Sequence, residues 1–269
     1  MPDAPETGLS SPPPLRPLRS ALAGFCADTA LALVITVVLM LGAGVLWGVA
    51  RAIQLAAAGA EQAEITAALE RPDAVAQILI ALFSMGSAAL LLYFWRRPAS
   101  AQERRHSQWA ARQAGTWVAV VGVAVLTFLS SSLASWLGER MGVPPNPSNL
   151  APIQDLSQHH PYFMMAFAVL LAPLYEELLF RRVLFGGMWQ AGYPVLGMIL
   201  SGCAFALAHE APGLNGNGAA ATTLLLVVYA GMGVAFAWLY RRTGTLWAPI
   251  AAHALNNALA LGAMQLAGG

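Results

Sequence analysis

From Thr29 onward the chain alternates between continuously apolar runs of roughly 20 residues and short polar breaks. The runs lack the every-second-residue alternation of a half-buried strand. At 1.5 Å per residue, a helix of about 20 residues crosses roughly 30 Å of hydrocarbon, so each run predicts a membrane-spanning helix. Seven such runs fall at 29–50, 75–95, 116–137, 162 to beyond 180, 194–209, 219–240 and 246–266. Asp28 stands directly before the first run, where its carboxylate is expected to cap the opening turn. Residues 51–74 carry Arg51, Glu61, Glu64, Glu70, Arg71 and Asp73, and predict a surface or interfacial helix ending at Pro72. An eighth span results if residues 52–70 dip into the bilayer. Glu139 to Pro161 is rich in proline and reads as a long loop containing Asn146, Asn149, His159 and His160.

Composition narrows this further. Of 269 residues, 58% are apolar and only 10% charged, against about 25% charged in an ordinary soluble domain, which excludes a typical soluble enzyme. Outer-membrane barrels are built from alternating segments of about 10 residues, a pattern the continuous runs contradict. The predicted fold class is therefore all-α, a polytopic helical transmembrane bundle of seven to eight spans. Its expected organisation is a disordered Pro/Ser-rich tail over 1–20, transmembrane helices and loops over 21–150, and a region over 151–269 that holds the candidate chemistry. Net charge is +1 and all 14 basic residues are arginine, with no footprint for nucleic acid. With seven spans, Arg16 and Arg19, the Arg96–Arg112 loop, and Arg241 and Arg242 fall on one side. The positive-inside rule makes that side cytoplasmic, leaving the N-terminus inside and the C-terminus outside.

A charge at mid-bilayer costs about 2.5 to 3.5 kcal/mol even on lenient insertion scales, so polar residues inside the spans need a reason. Three clusters stand out: Glu176, Glu177 and Arg181 in PLYEELLFRR, His209 in FALAH, and His253 with Asn257 in WAPIAAHALNN. Glu177 and Arg181 are four apart, the spacing of an internal ion pair on one helix face. Glu176 is rotated by about 100° from Glu177 and can face elsewhere. His253 and Asn257 share a face. Pro173 and Pro249 lie just before Glu176 and His253, where a kink would open room. Taken singly, each cluster is also what interhelical hydrogen bonding without chemistry would look like. Glu210 reads as a residue at the water interface.

The stretches EELLFR, FALAH and HALNN resemble, in order, the EExxxR, FxxxH and HxxxN motifs of the CPBP (CAAX protease and bacteriocin-processing, or Abi) intramembrane proteases. Type II CAAX prenyl endopeptidases are the eukaryotic members of that family. The resemblance covers about residues 160–267 and implies an endopeptidase in a bacterial inner (cytoplasmic) membrane. Carried over by motif position, Glu176 is the general base, His209 orients the water, and His253 and Asn257 donate to the oxyanion. Glu177, Arg181 and Phe205 are the structural support. No cofactor is expected, although two His and a Glu are also a common zinc set; a metal, if present, would sit on Glu176, His209 and His253. The partners implied are the lipid bilayer and a protein or peptide substrate, and not nucleic acid. Two other readings stand beside this one: a non-catalytic membrane scaffold or bacteriocin-immunity factor, and a proton-coupled transporter, against which the lack of repeated halves speaks.

Overall fold

The computed structural model describes residues 15–70, 72–213 and 216–268, and among these every regular element is a helix. Ten helices follow one another: α1 (Leu18–Ala57), α2 (Gln62–Glu70), α3 (Ala74–Arg96), α4 (Ala101–Ala110), α5 (Ala114–Arg140), α6 (Leu150–His159), α7 (Pro161–Gln190), α8 (Pro194–His209), α9 (Ala219–Thr243) and α10 (Trp247–Gly268). Five of them, α1, α3, α5, α7 and α9, are long and apolar enough to cross a membrane. The other two expected spans are present as helices, but α8 has only 16 residues and α10 is diluted by His253, Asn256 and Asn257. The nine residues of α2 rise only about 13 Å, too little for an eighth crossing.

Contacts between chain ends fix how the helices run. Tyr193 at the start of α8 donates to the Arg16 carbonyl at 2.8 Å just before α1. Arg182 near the end of α7 donates to the carbonyl of Arg97, which follows α3, at 3.1 Å. Ser107 of α4 meets Thr245, between α9 and α10, at 2.8 Å. All three arginine groups of the sequence therefore gather at one end, and α1, α3, α5, α7, α8, α9 and α10 run alternately away from it and back. At the opposite end, Ser148 and Asn217 bind the C-terminus of α8.

Three local expectations are corrected. Asp28 does not cap a helix: α1 begins ten residues earlier, because the Ala- and Leu-rich stretch before Asp28 is itself a good helix former. Asp28 is instead 1% exposed and paired with Arg96 at 2.8 Å and Arg97 at 3.2 Å. Of the expected 1–20 tail, residues 1–14 lie outside the described residues, and residues 18–20 are already helical. The 139–161 loop contains α6, whose Leu156 packs under α3 and α7.

Prolines act as the chain geometry dictates. Pro173 cannot donate to residue 169, and the turn directly before it widens to a π-helix over Phe167–Leu171. A second π-helical stretch, Leu178–Phe185, follows the two glutamates, so α7 departs from α-helical geometry on both sides of them. Pro249 opens α10 within its first turn, where its missing N–H has no helical partner to lose, and produces no kink. Between α8 and α9, Gly202 and Gly233 allow backbone contact; a Cβ on Gly233 would meet the Gly202 Cα at 2.7 Å. That approach carries Phe205 and His209 toward the centre of the bundle.

Candidate active site

Glu176 and Glu177 stand between the two widened stretches of α7, both buried. Glu177 takes Arg181 as its i+4 partner: Arg181 Nε lies 2.7 Å from Oε2 and Nη2 donates to Oε1 at 3.1 Å. Both side chains are fully inaccessible. The guanidinium also lies 4.8, 5.5 and 5.7 Å from the ring centres of Phe205, Phe236 and Phe180, where aromatic faces replace part of the missing water.

Two histidines from other helices close on this carboxylate pair. His209, the last residue of α8, donates from Nδ1 to the Phe205 carbonyl at 2.9 Å. His253, on the second turn of α10, donates from Nδ1 to Glu177 Oε1 at 3.0 Å. A carbonyl and an arginine-paired carboxylate can only accept, so each neutral ring carries its proton on Nδ1 and presents a bare Nε2. Both Nε2 atoms face the same atom, Glu176 Oε2, at 3.5 Å from His209 and 3.9 Å from His253. That oxygen is buried and has no hydrogen-bond partner among the described residues. Aromatic neighbours hold the rings: His209 lies tilted against Phe205 at 4.2 Å and Tyr229 at 4.9 Å, and His253 stacks on Phe236 at 5.1 Å.

Three acceptor atoms thus converge where a single proton or a water can be shared among them. Glu176, Glu177, Arg181, His209, His253 and Phe205, all singled out in the sequence, meet in this one network. Asn257 is not joined to it by a hydrogen bond: its amide donates to the Ala168 carbonyl on α7 at 2.9 Å and accepts from Asn256 at 3.3 Å. One N–H of that amide stays uncommitted. As for a metal, among the described residues no three His, Cys, Asp or Glu side chains are arranged to hold one.

Two features of the site escaped the sequence reading. The first is that adjacent glutamates grip His253 from both ring nitrogens, Glu177 by hydrogen bond and Glu176 across 3.9 Å. Their offset of about 100° suggested divergent roles, and only the position of α10 brings them together. The second is Glu210, which is 1% exposed rather than at a water interface. It accepts from the Ser148 amide at 3.3 Å and the Asn217 side chain at 3.0 Å, while Ser148 Oγ donates to the His209 carbonyl at 2.6 Å. Glu210 therefore ties two loops over the end of α8, one residue beyond His209.

Comparison with known proteins reaches the same part of the chain. Residues 158–259 match the Rce1-like family, described as type II CAAX prenyl endopeptidase Rce1-like. A Bacillus subtilis (strain 168) protein, YdiL, provisionally named a membrane peptidase, is 27% identical over 139 residues, covering 52% of this chain and 52% of that protein. The membrane-embedded CAAX protease MroQ of Staphylococcus aureus (strain USA300) is 29% identical over 145 residues, covering 52% of this chain and 54% of that protein. The chain thus spans about half the length of the curated relatives it matches. No solved structure matches. The matched region contains every residue of the polar network, and it is over this region that the chain is similar to the Rce1-like membrane proteases.

Proposed function

We propose that this chain is an intramembrane endopeptidase, multi-pass in a bacterial cytoplasmic membrane, that hydrolyses a protein or peptide substrate without a metal. Glu176 takes a proton from a water held between its carboxylate and His209 Nε2, and the water oxygen attacks the peptide carbonyl carbon. The resulting oxyanion is met by the remaining N–H of Asn257 and by His253, which takes up a proton from the solution on Nε2 before the attack, donates from it to the oxyanion and keeps it through the cycle. Glu177, accepting from Nδ1, stabilises the doubly protonated ring. The C–N bond then breaks, and the proton held by Glu176 passes to the leaving amine. Fixed donors in a poorly solvated site favour the charge that develops in such a step.

The observation that carries this reading is the convergence of two bare Nε2 atoms on a buried carboxylate oxygen without a partner. The test is a comparison of membrane-protein N-termini in cells making the wild type, cells making Glu176→Gln, and cells without the chain. New N-termini are expected only with the wild type. A scaffold acting by binding alone would give the same N-termini, or the same partner protection, with Glu176→Gln. Purified protein is expected to keep its activity after exhaustive chelation; loss of activity restored by zinc would contradict the metal-free step.

A further inference from the structure

A large cavity lies apart from the Glu176 cluster. It occupies about 1890 Å³ between α3, α4, α7 and the start of α10, at the arginine-rich end, and neither Glu176, His209 nor His253 lines it. Its walls are apolar: Leu82, Phe83 and Leu90 of α3 face Leu171, Leu174 and Leu178 of α7 across it. Phe83 and Leu90 are 53% and 51% exposed, and Leu171 and Leu174 are 40% and 41% exposed, on helices that cross the bilayer. Such walls are matched by hydrocarbon chains and not by water.

The rim has the opposite character. Arg104 on α4 and Arg241 and Arg242 at the end of α9 border the cavity and are exposed, and none has an acidic partner among the described residues. The one carboxylate of the rim, Glu103, is already paired with Arg182 at 2.8 and 3.0 Å and does not cancel them. Trp109 and Trp247 also line the cavity, and amphipathic rings of this kind favour a membrane interface.

We propose that this cavity seats one anionic glycerophospholipid of the cytoplasmic leaflet, its phosphate among Arg104, Arg241 and Arg242 and its acyl chains along Phe83, Leu90 and Leu174. A soluble phosphate would leave the apolar walls unmatched, and a zwitterionic lipid would not answer three guanidinium groups without an acidic partner, of which Arg104 donates only to the Ala99 carbonyl. Basic pockets between transmembrane helices on the cytoplasmic side recognise anionic headgroups in this way. The proposal is independent of the endopeptidase reading.

It is tested by native mass spectrometry of the purified full chain titrated with phosphatidylglycerol or phosphatidylcholine of matched acyl chains. The wild type is expected to retain one phosphatidylglycerol at least about tenfold more tightly than phosphatidylcholine. The triple variant Arg104→Gln, Arg241→Gln, Arg242→Gln is expected to lose that preference, while Arg105→Gln with Arg112→Gln, on and just after α4 but not lining the cavity, keeps it. Gly86 lines the cavity from α3, and a Cβ there meets nothing within 4 Å, so Gly86→Phe fills the space with the arginines intact. It is expected to release the lipid, while Gly86→Ala retains it and shows that the helix tolerates the change. Equal retention of the two lipids by the wild type would overturn the proposal. Full phosphatidylglycerol retention by a folded Gly86→Phe would do so too, since the attraction would then be to the surface and not to the cavity.

Discussion

Arg181 and Arg182 are neighbours in sequence and inhabit different parts of the molecule. Arg181 turns into the bundle and pairs with Glu177 four residues back on its own helix, with no access to water. Arg182, rotated by about 100°, points to the arginine-rich end, donates to the Arg97 and Pro98 carbonyls, and pairs with Glu103, 79 residues away and 43% exposed. The first pair holds the chemistry in place by fixing Glu177 against His253. The second clamps α4 onto α7. Isolation from water, more than the identity of the ion pair, decides what breaking each should do.

Removing Arg181 should have the largest effect on folding. Arg181→Ala strands the Glu177 charge in a dry interior, at a cost of about 3 to 5 kcal/mol. Thermal unfolding in detergent is expected to fall sharply, with little folded protein recovered. A variant as stable as the wild type would show that water reaches Glu177 and that the two regions differ less than the burial implies.

Within the site, Asn257→Ala sharpens the contrast between holding and reacting. Loss of a single oxyanion donor typically lowers the rate by about 10² to 10³. Cleavage should be slowed to that extent with the melting temperature nearly intact, because the lost contacts are one bond to Ala168 and one from Asn256. An unchanged rate would remove Asn257 from the reaction and leave it as a tie between α10 and α7.

The Arg182 clamp should give the smallest response. Arg182→Gln is expected to cost about 1 to 3 kcal/mol, seen as faster amide exchange confined to α4 and the end of α3. Acid should do the same reversibly. The Arg182 guanidinium holds the Glu103 carboxyl down to about 2 from an ordinary 4.5. The pair therefore contributes fully above pH 4.5 and is lost as pH falls from there toward 2. Exchange in α4 that stays constant across that window would show that Ser107 and Thr245, not the ion pair, hold the helix.

The same contrast explains what the sequence revealed. The helical fold was legible because a bilayer demands long apolar runs, and the Glu177–Arg181 pair because a helix brings i and i+4 together. Arg182–Glu103 and Asp28–Arg96 were not, since each joins residues some 70 to 80 positions apart that only the folded bundle brings together. Asp28 before an apolar run reads as a cap, although the helix-forming stretch ahead of it lets α1 start ten residues earlier. Within the site, the motif residues could be named, but not the gripping of His253 by both glutamates, which depends on where α10 packs. Glu210 looked peripheral because it follows the last helical residue of α8, and the covering loop comes from over 60 residues upstream.

The central claim is that Glu176 and His209 act as one unit on a shared water. Its most direct measurement is the cleavage rate of a substrate found from the N-terminus comparison, with bilayer-reconstituted wild type, Glu176→Gln, His209→Ala and the double variant. Groups that act as a unit are strongly non-additive, so each single change should remove nearly all turnover and the double change little more, with all four proteins folded. Losses that simply multiply in the double variant, or appreciable turnover by Glu176→Gln, would contradict the account.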